Sequence, residues 1–245
     1  MLSSKVIEMK GYKAAKEMVL VESSYKLSEV EHKLVNMLIS TLNSHKEEET
    51  PTCSIRVQDY ASLVGIRVDK AKYALVEAMD TLWEREIVWA DGSKKCRWLQ
   101  ERADLEGGII EVKFSDRVFK SLTDLKNSTY VQLVNEYSMV LKGSYTIRMF
   151  EILLAERYIK NWDNNKRIYK ITLPFSELKY RLAVSNSYQE YRVFKVNVLD
   201  KLVKELAAKD IAVITYQSVK LGRRVDAVEF RINWLIKKSR GKYEG

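Results

Sequence analysis

The side chains best suited to chemistry in this chain lie on one stretch that opens at Tyr188: Gln189, Glu190, Arg192, Lys195, Val196, Asn197 and Lys201. Asparagine and glutamine amides can pair bidentately with adenine, and a valine can pack on a thymine methyl, so this set is able to read base edges in a major groove. Stepping about 100° per residue from Phe194 gathers Tyr191, Val198, Leu202 and Leu206, with Leu199 beside them, into one apolar stripe. Gln189, Glu190, Val193, Val196, Asn197, Asp200 and Lys204 fall on the opposite arc, with Arg192 and Lys201 flanking it. A solvated helix face would show the same pattern, so the arc alone leaves both readings open.

The segment that follows favours nucleic acid. After an apolar strand from Ile211 to Val219, Lys220-Leu221-Gly222-Arg223-Arg224 forms a turn that carries three cations on a hairpin tip. Phosphates can be reached from such a tip without disturbing a core. An earlier stretch has a weaker counterpart: Lys94, Lys95 and Arg97 lie on a ribbon, and Lys70 and Lys72 open the helix before it. Glu77 and Asp80 occupy the outer side of that earlier helix, which therefore reads as a backbone-contacting or partly structural unit.

The elements that position these residues recur. A helix (Glu29 to Asn43), a strand (Ser54 to Val57), a short helix (Gln58 to Val64), a turn at Gly65, a longer helix (Asp69 to Arg85) and two apolar segments meeting at Asp91-Gly92-Ser93 make one copy. A helix (Tyr145 to Ile159), a strand (Arg167 to Leu173), a short helix (Phe175 to Leu182), a long helix (Tyr188 to Lys209) and two strands joined near Gly222 make the other. An offset of roughly 116–130 residues separates them, and one supersecondary unit used twice fixes the architecture. The fold class is α+β, two tandem winged-helix domains. The boundaries follow: a flexible basic leader (1–18), a first winged helix (19–122), a connection (123–142), a second winged helix that carries the main sequence-specific contacts (143–235), and a basic tail (236–245). Tyr130, Leu133, Tyr137 and Leu141 mark the connection as packed, and Gly108 to Phe114 reads mainly as core, with a partner surface as the alternative.

A net charge of +9 on 245 residues concentrates polyanions, which puts double-stranded DNA first among partners. No apolar run approaches the ~20 residues that span a bilayer, and the stretch from Met1 to Lys16 lacks the apolar centre of a secretory signal, so a cytoplasmic protein is expected. Cys53 and Cys96 read as reduced structural thiols. His32 and His45 lack the spacing of a metal site and are expected at the surface, and no cofactor or metal is implied. Pro51 ends the acidic loop Glu47-Glu48-Glu49, and Pro174 falls near a helix start, where its missing N–H costs little.

Several segments in order carry a family resemblance: Glu22-Ser23-Ser24-Tyr25-Lys26-Leu27-Ser28, Val57-Gln58-Asp59-Tyr60-Ala61, Tyr145-Thr146-Ile147-Arg148-Met149-Phe150-Glu151-Ile152-Leu153, Phe194-Lys195-Val196-Asn197-Val198-Leu199, Gly222-Arg223 and Val228-Glu229-Phe230. Over roughly residues 19 to 234 the chain resembles the iteron-binding replication initiator (Rep) proteins of theta-replicating plasmids, and the Tyr145 segment is similar to their Y-x-x-R-x-Y-E-x-L helix. The resemblance implies two winged helices whose monomers bind directly repeated origin sites, help open an adjacent A·T-rich segment and recruit the host initiator and replicative helicase. It also implies dimers that repress the protein's own gene through a contact of the N-terminal domain. Such initiators commonly carry arginines where this chain has Val196 and Asn197, and sometimes where it has Glu190, so the DNA target is expected to differ.

Two rivals remain. A nicking initiator with a tyrosine nucleophile needs a metal held by clustered histidines, which His32 and His45 do not supply, and no G-x-x-x-x-G-K-[ST] loop is present for an ATPase. A winged-helix transcription regulator fits the same residues, and only the resemblance favours initiation over it.

Overall fold

The order of apolar periodicities along the chain becomes the order of elements in a computed structural model, which describes residues 13–42, 50–92, 95–101, 104–125, 130–159, 168–184 and 188–236. Residues 13–18, assigned from sequence to a flexible leader, are instead built into the fold. They form β1 (Lys13–Glu17) and the start of α1 (Met18–Glu22). The cause is alternation, since Ala14 and Lys16 point inward and are fully buried.

The helix α2 (Glu29–Ile39) begins at a capping box: Ser28 Oγ accepts from the Glu31 N–H at 3.2 Å, and the Glu31 carboxylate accepts from the Ser28 N–H at 2.5 Å. Every residue from Glu31 to Ser40 is buried, so α2 is a central helix and not an amphipathic surface one. His32 is 1% exposed, against the expectation of a surface position; His45 lies outside the described residues. Next come β2 (Thr52–Arg56), α3 (Val57–Val64) and α4 (Val68–Trp83). Gly65, at φ +74, ends α3 in the left-handed region that glycine adopts without strain. Ala71, Leu75, Ala78, Met79 and Leu82 bury one stripe of α4.

The ribbon β3 (Glu86–Ile87) and β4 (Cys96–Arg97) forms the first wing, and β5 (Asp104–Glu106) and β6 (Ile109–Lys113) join β2 in a sheet of order β2-β6-β5. Ile110, Val112 and Phe114 face the core as expected, whereas Ile109 faces solvent. After α5 (Asp116–Thr123), β7 (Tyr130–Val134) pairs antiparallel with β1, and α6 (Asn135–Val140) leads on to α7 (Ser144–Ile159). The second unit continues with β8 (Tyr169–Pro174) and α8 (Phe175–Arg181), for which Pro174 is the N-cap. A composite helix follows: α9 (Tyr191–Phe194), a π-helical turn (Lys195–Leu199) and α10 (Asp200–Ala208). The hairpin β9 (Ala212–Leu221) and β10 (Arg224–Trp234) completes a sheet of order β8-β10-β9.

Although it opens the second copy in sequence, α7 packs on α1, α2 and β7 as well as on α10. At its centre Glu151, fully buried, gathers four donors. Lys16 Nζ donates at 2.8 Å, Arg148 Nη1 at 3.1 Å, Asn36 Nδ2 at 3.2 Å and Tyr25 Oη at 3.3 Å. Arg148 lies over the Tyr25 ring at 3.9 Å and donates to the carbonyls of Val21 and Ser23. The Arg148 and Glu151 of the Tyr145 motif are therefore the buried tie between α7 and the first unit. Burial alone would raise the Glu151 carboxyl, but the surrounding charges, Lys16 foremost, outweigh it and hold the group down at about 2. Burial pushes His32, beside this cluster, down to about 3.

A second tie comes from α8. Tyr180 Oη donates to the Val88 carbonyl at 3.1 Å, while Arg181 reaches Glu156 at 3.2 Å, Glu22 at 3.8 Å and Glu177. The short joint before α7 is held from both sides, with the Gly143 N–H donating to Glu29 at 2.7 Å and the Lys142 N–H to Glu205. No helix among the described residues is long and apolar enough to cross a membrane.

Candidate nucleic-acid interface

Periodicity alone locates the buried side of the composite helix: Phe194, Val198, Leu199, Leu202 and Leu206 are buried, and Tyr191 is half-buried. On the outer side Gln189, Glu190, Arg192, Lys195, Val196, Lys201 and Lys204 are exposed, Val196 at 54%. Tyr188, Val193 and Asn197 are half-buried, against the outward positions that an ideal wheel gives Val193 and Asn197. For Asn197 the π turn accounts for the difference: its i→i+5 bonds take up an extra residue per turn, so positions within and beyond it lag behind a 3.6-residue wheel. Val193 precedes the turn, and the Asn197 amide folds back onto its carbonyl.

Asn197 is turned onto its own helix. Its Nδ2 donates to the Val193 carbonyl at 3.1 Å, and its Oδ1 accepts from Lys201 at 3.4 Å. Lys195 pairs with Asp200 at 3.0 Å, and Asp200 also accepts from the Tyr216 hydroxyl on β9. That hydroxyl and Lys195 hold the Asp200 carboxyl below its usual value. Lys195 is thus partly neutralised and braced against the wing sheet, whereas Val196 and Arg192 stand exposed beside it without such a brace.

The wing tip is a two-residue loop, because Leu221 and Arg224 still pair across it. Gly222 has φ +62 and Arg223 does not share the left-handed region, the pattern of a type II′ hairpin, whose twist matches the flanking strands. Lys220, Arg223 and Arg224 are all exposed, and none has an ion-pair partner among the described residues. Leu221 is 75% exposed between them.

The first wing differs. Lys95 faces Glu86 at 3.5 Å, and Arg97 reaches Glu84 at 3.3 Å while lying over the Trp83 ring at 4.8 Å; Lys94 lies outside the described residues. Exposed pairs of this kind contribute about 0–1 kcal/mol, so phosphates can displace them, yet the local charge is already balanced. Lys70 and Lys72 are exposed on α4 and have no ion pair among the described residues. Between them and Glu77 stands Tyr73, 79% exposed, with Ile66, Val68 and Val76 also open. Sequence reasoning passed over this aromatic, although its place on the outward arc of an amphipathic helix was a usable signal.

Cys53 and Cys96 form no disulfide among the described residues, and Cys96 Sγ accepts from the Trp89 indole at 3.1 Å. No group of three His, Cys, Asp or Glu side chains that could hold a metal occurs among the described residues.

Two winged helices in tandem, with an open helix face and a bare cationic wing on the second, are the architecture of a DNA-binding protein. The chain belongs to the initiator replication protein family: the family's models "Initiator Replication protein, WH1" and "Initiator Rep protein, WH2" match residues 13–154 and 174–232. The first match begins at β1 and runs into α7, in keeping with the packing of both elements on the first unit. A curated "Replication initiation protein" from Escherichia coli is 26% identical over 227 residues, which span 87% of this chain and 67% of that protein. Among solved structures, the Pi initiator protein in complex with iteron DNA shares the fold at a TM-score of 0.74 and 17% identity, covering 92% of this chain and 98% of that one.

Proposed function

We propose that this initiator acts on a plasmid origin, binding directly repeated sites in double-stranded DNA and opening an adjacent A·T-rich segment by binding energy alone. The carrying observation is the unneutralised wing of Lys220, Arg223 and Arg224 beside the open Arg192 and Val196 face, a pairing of phosphate anchor with base reader. The Pi protein, which has the same fold and was solved on iteron DNA, supports repeated sites as the target. In this reading the second winged helix (143–235) supplies specificity through Tyr188, Gln189, Glu190, Arg192, Lys195, Val196, Asn197 and Lys201. The first (19–122) holds the backbone through Lys70, Lys72, Lys94, Lys95 and Arg97. Host initiator and helicase are recruited as partners, a dimer represses the gene, and the protein works in the cytoplasm.

Asn197→Ala is expected to weaken the cognate repeat by roughly 1–3 kcal/mol and to leave random duplex nearly unchanged. Because Asn197 is bonded to Val193 and Lys201 in the free chain, its amide must turn outward on binding, which places the effect toward the lower end. Gel-shift titrations on both duplexes check this, and equal losses would remove Asn197 from the readers.

No strand cleavage is expected. Supercoiled DNA carrying the origin, incubated with the protein and Mg²⁺ or Mn²⁺, should stay covalently closed while A·T-rich bases near the repeats become reactive to single-strand probes. A covalent adduct lost on replacing one tyrosine would instead mark a nicking initiator. Maintenance of a plasmid with and without the gene separates initiation from plain transcriptional regulation.

A further inference from the structure

Beside the proposed reading face, an open cleft of about 510 Å³ separates the first turn of α7 from the flank of α10. Its size falls within the range of small-molecule sites, roughly 300–1,000 Å³. Two half-buried aromatic rings, Tyr145 and Tyr188, stand in its wall edge to face, their centroids 5.4 Å apart and their planes at 67°. Three ammonium groups border it, those of Lys142, Lys201 and Lys204, and none is paired to a carboxylate among the described residues. The single acidic side chain in the wall, Glu205, is turned to accept the Lys142 backbone N–H, so three cations face one carboxylate around the cleft. Aromatic surface for a flat ring next to an excess of cations for phosphate is a combination that neither an apolar metabolite nor a bare inorganic anion would use in full.

We propose that this cleft binds a nucleoside polyphosphate, with the base against Tyr145 and Tyr188 and the phosphates on Lys142, Lys201 and Lys204. No hydrolysis is involved. Tyr188, Asn197 and Lys201 belong both to the cleft and to the face assigned to DNA, so nucleotide and duplex compete for them. That competition rests on the DNA reading proposed above, whereas nucleotide binding itself does not.

Isothermal titration of the full chain without DNA, at about 0.15 M salt, tests the site with ATP, adenosine and inorganic tripolyphosphate. ATP is expected to bind with a dissociation constant on the order of 10–100 µM, at least tenfold tighter than either fragment. Ala208→Trp, which fills the cleft from its rim, and Lys204→Glu should each weaken ATP at least tenfold with the thermal transition of the protein preserved. Tripolyphosphate binding as tightly as ATP would reduce the effect to counterion binding by a basic protein and overturn the proposal. So would ATP affinity unchanged in both variants, or no binding up to about 1 mM. A thymine oligonucleotide that binds tighter than ATP and displaces it would reassign the cleft to unpaired DNA. With nucleotide binding established, saturating ATP should weaken the cognate duplex severalfold. Failure of that arm alone would count against the shared residues and leave the nucleotide site standing.

Discussion

Glu151→Ala is expected to destabilise the chain by about 3–5 kcal/mol, the usual consequence of removing one partner from a buried ion pair. The carboxylate accepts from Lys16, Arg148, Asn36 and Tyr25, and its loss leaves two buried cations with no counter-charge. In urea titrations the midpoint should fall with an unchanged slope, since the surface exposed on unfolding is the same. Should the alanine variant fail to fold, Glu151→Gln keeps the shape and removes the charge alone, and it should still lose a large part of the effect. A near-neutral result for both variants would show that the cluster does not hold α7 to the first unit.

The same cluster sets an acid limit. Glu151 sits at about 2 in the folded chain, below its ordinary value, so its stabilisation is present above about pH 4.5 and is lost as pH falls toward 2. His32, held at about 3, acts in the same direction from higher pH. The unfolded chain takes up its proton below about pH 6.5 and the folded chain does not, so stability declines steadily from there down to pH 3. His32→Leu should therefore flatten the fall in melting temperature between pH 6.5 and 4.

These two groups also mark where sequence reasoning stopped. The buried stripe of the composite helix was legible because Val198, Leu202 and Leu206 repeat at helical spacing, and the wing was legible because glycine sits at the tip between cations. The partners of Glu151 were not, because Lys16 and Asn36 lie 135 and 115 residues away and only the folded chain brings them together. An inward lysine defeats pattern reading in β1, where Lys16 looks like part of a basic leader until its counter-charge is known. His32 misled for a related reason: α2 is buried on all sides, so no polar face was left to place it. The π turn at Lys195–Leu199 has no side-chain signature, and it shifts Asn197 off the arc that an ideal wheel assigns it. What a sequence conveys well is local periodicity; what it conveys poorly is compensation between distant charges.

Replacing Arg223 and Arg224 together with alanine is expected to lower the salt slope of duplex binding by about 2 and to weaken binding roughly 50-fold near 0.1 M salt. Arg223 stands on the two-residue turn and Arg224 opens β10 beside it, both exposed and without an ion-pair partner among the described residues, so each is able to neutralise one phosphate and release its counterion. The loss should be nearly the same for the cognate repeat and for random DNA, because a phosphate contact positions the protein without reading sequence. The corresponding change in the first wing, Lys95→Ala with Arg97→Ala, should have a smaller effect, since Glu86 and Glu84 already balance those charges. Binding isotherms over a range of salt on both duplexes measure slope and affinity at once. An unchanged slope accompanied by lost discrimination would exchange the roles of wing and helix, making Arg223 and Arg224 the base readers and the Arg192 to Lys201 face the anchor. Equal slopes for the two wings would show that the carboxylates beside Lys95 and Arg97 give way freely to phosphate, and that the first winged helix grips DNA as firmly as the second.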